Sequence, residues 1–98
     1  MGIFISELWR IRGELLLRES ARNTEPAEQF LRIASRIAGE QGAKIFHLRA
    51  ATSLARLLAE NGRREDAQIV LAQVEMNGLD EWSGPEIAIA KQLRSALG

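Results

Sequence analysis

The sequence predicts an all-α fold of stacked antiparallel helix pairs, and three observations predict it. Alanine, leucine, arginine and glutamate dominate, tyrosine is absent and aromatics make up only 5%, which favours helix over strand in nearly every window. Apolar residues recur at spacings of three and four along most of the 98 residues, the period of a helix with one buried face. Breakers separate these stretches by only a few residues, and connections that short force neighbouring helices antiparallel.

Taken in order, five helices are expected. The first runs from about residue 5 to 20, with Leu8, Ile11 and Leu15 as its apolar stripe, widened by Leu16. Residues 21–24 break it, Thr24 is placed to cap the second helix, and Pro26 falls in the first turn, where a missing donor costs nothing. That helix carries Ala27, Phe30, Leu31, Ala34, Ile37 and Ala38 on one face and ends near residue 41, before Gly42. The third, about 45–60, presents Leu48, Ala51, Leu54, Ala55 and Leu58, and Asn61-Gly62 stops it. The fourth, about 64–75, uses Ala67, Val70, Leu71 and Val74. After an irregular linker, Ser83 and Glu86 have the spacing of a capping box for a closing helix over 85–97, with Ile87, Ala90, Leu93 and Leu97 inward.

A repeat lies inside this series. Leu54-Ala55, Leu58, Gly62, Ala67 and Leu71 fall at the offsets of the tetratricopeptide pattern, in which small residues let paired helices approach. Trp9, Gly13, Leu16, Ala27, Leu31 and Ala34 follow in the same order, Ala27 to Ala67 spanning 40 residues and Gly13 to Ala55 spanning 42. These offsets exceed the roughly 34-residue unit of ordinary tetratricopeptides, so the expectation is an array of two elongated repeats plus a closing helix. Residues 1–98 are then one domain, with a first pair over 5–41, a second over 44–75 and the closing helix over 85–97.

Several runs carry a resemblance: Gly13-Glu14-Leu15-Leu16-Leu17, Gln41-Gly42-Ala43-Lys44, the stretch from Leu48 to Leu57, and Asn61-Gly62-Arg63. They resemble the C-terminal tetratricopeptide region of large bacterial signalling proteins, namely adenylate/guanylate cyclases, predicted ATPases and LuxR-type transcriptional regulators. The likeness continues through Trp82 and Pro85-Glu86-Ile87 and departs at Glu75-Met76-Asn77, where such proteins more often carry aromatics. It implies a non-catalytic, cytoplasmic protein-interaction module, a regulatory or scaffolding part of a signalling or transcription protein; the alternative is a ligand-sensing regulatory domain of a cyclase or ATPase. No Gly-rich phosphate loop with its Lys and Ser/Thr is present.

Charge and chemistry narrow the classes. Thirteen basic residues balance 13 acidic ones, and although 11 of the basic residues are arginine, acids are interleaved along every helix. Nucleic acid is therefore not expected as a partner, and neither is a membrane. With no cysteine and a single histidine, His47, no metal or cofactor site and no catalytic residues are expected. The expected partner is a protein or peptide on the concave face, where Glu7, Arg10, Glu14 and Leu17 of the first helix and Arg49, Thr52, Arg56 and Glu60 of the third share one side. The competing reading is a solvated face knitted by the pairs Arg10–Glu14 and Arg56–Glu60. Trp9 is expected as an inter-helix packing residue. Ile3, Phe4, Ile5, Leu8 and Trp82 form a candidate surface for homo-oligomerisation through the N-terminal helix, because repeat arrays normally end on a polar cap and this start is apolar; the alternative is a preceding repeat outside this sequence.

Overall fold

Five α-helices make up most of the described residues in a computed structural model that describes residues 2–74 and 84–97, with side chains from residue 5 and, in the second stretch, residue 85. Helix α1 spans Gly2–Glu19, α2 Thr24–Glu40, α3 Lys44–Glu60, α4 Arg64–Ala72 and α5 Gly84–Leu97; a 3-10 turn, Ala21–Asn23, joins the first two. The described residues contain no strand. The linker features read at 75–83, Trp82 and the Ser83 cap among them, lie outside the described residues.

The three connections from α1 to α4 satisfy carbonyls that the helix ends leave without partners. At the end of α2, Gly42 takes φ 67°, Ala43 N–H donates to the Ala38 carbonyl at 2.9 Å and Gly42 N–H to that of Gly39 at 3.2 Å. At the end of α3 the arrangement recurs, with Gly62 at φ 77°, Arg63 N–H donating to the Leu58 carbonyl at 2.8 Å and Gly62 N–H to that of Ala59 at 3.1 Å. Both are Schellman motifs, and their positive φ is the reason glycine stands there. The α1–α2 joint is built differently and corrects the expected cap. Ser20 accepts from Arg22 N–H at 3.1 Å, Asn23 Nδ2 donates to the Leu16 carbonyl at 2.8 Å, and Thr24 Oγ1 donates to the Ala21 carbonyl instead of capping α2.

Helix α3 is the hub: it packs against each of the other four, α1 against α2 and α3, and α5 against α3 and α4. The molecule is a slab of 37 × 36 × 19 Å, two helix diameters thick. This central position buries α3 beyond the stripe read from its sequence, adding Ala50, Thr52 and Leu57 to Leu48, Ala51, Leu54, Ala55 and Leu58. On α2, Ala27, Leu31, Ala34 and Ala38 are fully buried, with Phe30 and Ile37 half-buried beside them. Helix α4 stops three residues short of the expected end, as Gln73 N–H divides between the carbonyls of Ile69 and Val70 and Val74 N–H tightens onto Leu71. Val74 is buried all the same.

The first helix departs most from expectation. Leu8, Ile11 and Leu15, read as its core stripe, are 61%, 43% and 51% exposed. The neighbouring row faces α2 instead: Ser6 is fully buried with its hydroxyl donating to the Ala34 carbonyl at 3.0 Å, Gly13 is buried, and Leu16 packs on the core. The cause is closeness. A Cβ built on Gly13 would lie 3.0 Å from Leu31 Cγ and 3.2 Å from the Ala27 carbonyl oxygen, so α2 approaches where α1 offers no side chain. Trp9 sits on this side, half-buried, tilted against Phe30 with ring centroids 5.2 Å apart and with Arg12 over both rings.

Candidate functional site

Helices α1 and α3 run as neighbours, so residues at matching heights on their common side form two walls, and α5 adds a third. The resulting groove has two sections. A cleft of about 170 Å³ is lined by Arg10, Glu14, Arg49, Thr52, Ser53, Arg56, Glu86 and Ile89. It continues past Glu14, Ser53 and Arg56 into one of about 220 Å³ that adds Leu17, Arg18, Leu57 and Glu60. Seven of the eight residues assigned to the concave face thus line one continuous depression, and Glu7 joins it through Arg49. Glu86 and Ile89 of α5 belong to it as well. The sequence marks Glu86 only as a candidate capping residue and Ile89 not at all, because periodicity within α5 does not say which other helices that face meets.

The ion pairs are not those expected. Arg10 pairs with Glu7, Nε to Oε2 at 2.9 Å and Nη2 to Oε1 at 3.1 Å, and not with Glu14. Arg49 donates Nε and Nη2 to Glu86 Oε1 at 3.1 and 2.8 Å and Nη1 to Glu7 Oε1 at 3.3 Å, while its guanidinium lies 5.4 Å from the Phe46 ring centre. One arginine therefore ties α1, α3 and α5 together. Thr52 is 8% exposed and its hydroxyl donates to the Leu48 carbonyl at 2.7 Å, which commits it to its own helix. Arg56 and Glu60 form no pair with each other, and Arg56 has no ion-pair partner among the described residues. Along the groove Arg10 and Arg49 are matched by Glu7 and Glu86, whereas Glu14, Arg56 and Glu60 form no ion pair among the described residues.

Burial opposes ionisation of Glu7, but hydrogen bonds and charge from Arg10, joined by Arg49, outweigh it and hold the carboxyl below the ordinary range; Glu86 is lowered chiefly by its Arg49 hydrogen bond. On the opposite side of α3, His47 sits beside Gly39 of α2, and burial lowers its pKa. All three groups hold fewer protons folded than unfolded, so each contributes stability at higher pH that is lost as pH falls through its folded pKa. Stability is expected to decline below about pH 6.5 through His47 and again below about pH 4.5 through the two carboxylates. Chemical unfolding at a series of pH values checks this; a His47→Gln chain that kept the upper step would disprove its assignment.

His47 also borders a wide cleft of about 420 Å³ between α2 and α4, with Arg32, Arg36, Glu40 and Gln73 along its sides. Among the described residues no cluster of three His, Cys, Asp or Glu is placed to hold a metal ion, and no helix is long and apolar enough to cross a membrane. Compared with family models, with curated proteins and with solved structures, the chain finds no match.

Proposed function

We propose that this chain is a non-catalytic protein-interaction module, an elongated tetratricopeptide-like array that takes an extended peptide or a helix along the α1/α3/α5 groove. The observation that carries the reading is the second section of the groove, where Arg18, Arg56, Glu14 and Glu60 line the cleft together with Leu17 and Leu57. A peptide laid there finds a cation able to grip a carboxylate with two parallel hydrogen bonds, beside apolar surface for one side chain. The groove's two sections share Glu14, Ser53 and Arg56, so an occupant laid along the groove can engage both. The signalling or transcription setting is part of the same proposal and rests on the resemblance of the repeat segments.

Arg56 is the residue for the test, because it can be changed without unmaking an ion pair among the described residues. Peptides selected from a random displayed library against this protein are expected to carry acidic residues and to bind Arg56→Glu at least about tenfold more weakly. Peptides that bind both chains equally, or a library that yields no binder, would overturn the groove assignment.

A further inference from the structure

On the side of α3 away from the groove, the fold gathers polar side chains that it leaves without partners. The cleft of about 420 Å³ between α2 and α4 has Leu54 of α3 and Val70 of α4 as its apolar floor. Ser35 and Arg36 of α2, His47 of α3 and Gln73, just past α4, stand around it. None of these four side chains makes a hydrogen bond among the described residues. The depression continues past His47 and Gln73 to Lys44, at the start of α3.

Gly39 makes the room for the imidazole. It lies in the last turn of α2, where glycine weakens a helix relative to alanine, and a Cβ there would fall 3.3 Å from His47 Cε1 and 3.4 Å from Nε2. The missing side chain lets the ring lie against the α2 backbone and line the cleft. The charges around it are mostly positive and loosely held. Arg36 meets Glu40 only at 3.6 Å, with both side chains more than 60% exposed, and Arg32 gives Glu28 its Nε alone. Arg32, Arg36 and Lys44 thus face one lining carboxylate, that of Glu40, and α4 places no charged side chain in the cleft. The C-terminal end of α2 opposes an anion with about half a unit charge, less than these cations supply.

We propose that this cleft binds a small organic anion, its acid group held between Arg36 and His47 and its apolar body on Leu54 and Val70. The volume of about 420 Å³ lies within the roughly 300–1,000 Å³ of small-ligand sites, which combine apolar walls with a few placed polar groups. A guanidinium takes a carboxylate through two parallel hydrogen bonds, and an imidazole N–H adds a third. Protonated His47 holds the anion better than neutral His47, so binding raises the imidazole pKa and tightens as pH falls through it. The cleft shares no lining residue with the α1/α3/α5 groove, so the two sites fill independently.

His47 is the sole histidine, so its ring protons give a single resolved NMR reporter inside the site. Hexanoate titrated to about 20 mM is expected to move the His47 ring signals and the Gly39 and Gln73 amides along one saturating curve, with a Kd on the order of 1 mM. Binding is expected to be at least about threefold tighter at about pH 5.5 than at about pH 8. Hexylammonium has the same apolar body with the opposite charge, and acetate has the charge without the body; each is expected to bind at least about tenfold more weakly. Arg36→Gln alters an exposed position, so it keeps the melting temperature while weakening hexanoate at least about fivefold. No saturable change at His47, an affinity equal at the two pH values, hexylammonium or acetate binding as well as hexanoate, an Arg36→Gln chain that binds unchanged, or changes confined to residues around Arg56 would each overturn the proposal.

Discussion

Leu31→Ala is expected to lower folding stability by about 3 kcal/mol, within the roughly 2–5 kcal/mol range for truncating a fully buried leucine. Leu31 is wholly inaccessible and fills the space that Gly13 leaves open, so truncation empties the closest point of the α1–α2 joint. Gly13→Val acts on the same joint from the other side. Its Cβ would begin 3.0 Å from Leu31 Cγ and 3.2 Å from the Ala27 carbonyl oxygen, and overpacking of this kind costs about 1–3 kcal/mol. Together the two changes exchange volume across the contact, so the double variant is expected to be at least about 1 kcal/mol more stable than the sum of the single effects. Urea unfolding of the four chains measures this coupling; strict additivity would mean that Gly13 and Leu31 do not share the space.

Arg49→Met is expected to cost about 1–2 kcal/mol. Charge-assisted hydrogen bonds contribute up to about 3 kcal/mol, and partial exposure reduces that; the Arg49 side chain is 37% accessible. The location of the loss is more telling than its size. Glu7 keeps Arg10, whereas Glu86 has no other ion-pair partner among the described residues, so α5 is released before α1. Amide exchange should accelerate in α5 more than in α4, although α4 also holds α5: Arg64 Nε and Gln68 Nε2 each donate to the Leu97 carbonyl at 2.7 Å. Uniform acceleration across the helices, or none in α5, would show that the tie is incidental. Arg56→Met, by contrast, should leave stability within about 0.5 kcal/mol of the unaltered chain.

The contrast between these arginines bears on what was legible in the residues. Periodicity places Arg49 and Arg56 two turns apart on one side of α3, and it treats them alike. Once helices α1 and α5 flank that side, Arg49 meets two carboxylates and becomes structural, whereas Arg56 meets none among the described residues. Thr52, between them, reads as a surface hydroxyl but is buried because α3 is the central helix. The pairing Arg10–Glu14 was equally allowed by spacing; Glu7 won because it also faces Arg49, and one carboxylate shared by two guanidiniums is stabilised by both.

Helix number, the glycine turns and the small-residue register are determined by the sequence, because each rests on local physics: a 3.6-residue period, a positive φ that only glycine takes cheaply, and an absent or single-carbon side chain where helices touch. The choice between two adjacent apolar rows on α1 is different in kind. Leu8, Ile11 and Leu15 are the more hydrophobic row and by themselves would be buried, yet Ser6, Gly13 and Leu16 face the core. Burial goes to the row that lets α2 come closest, and that is a property of two helices together.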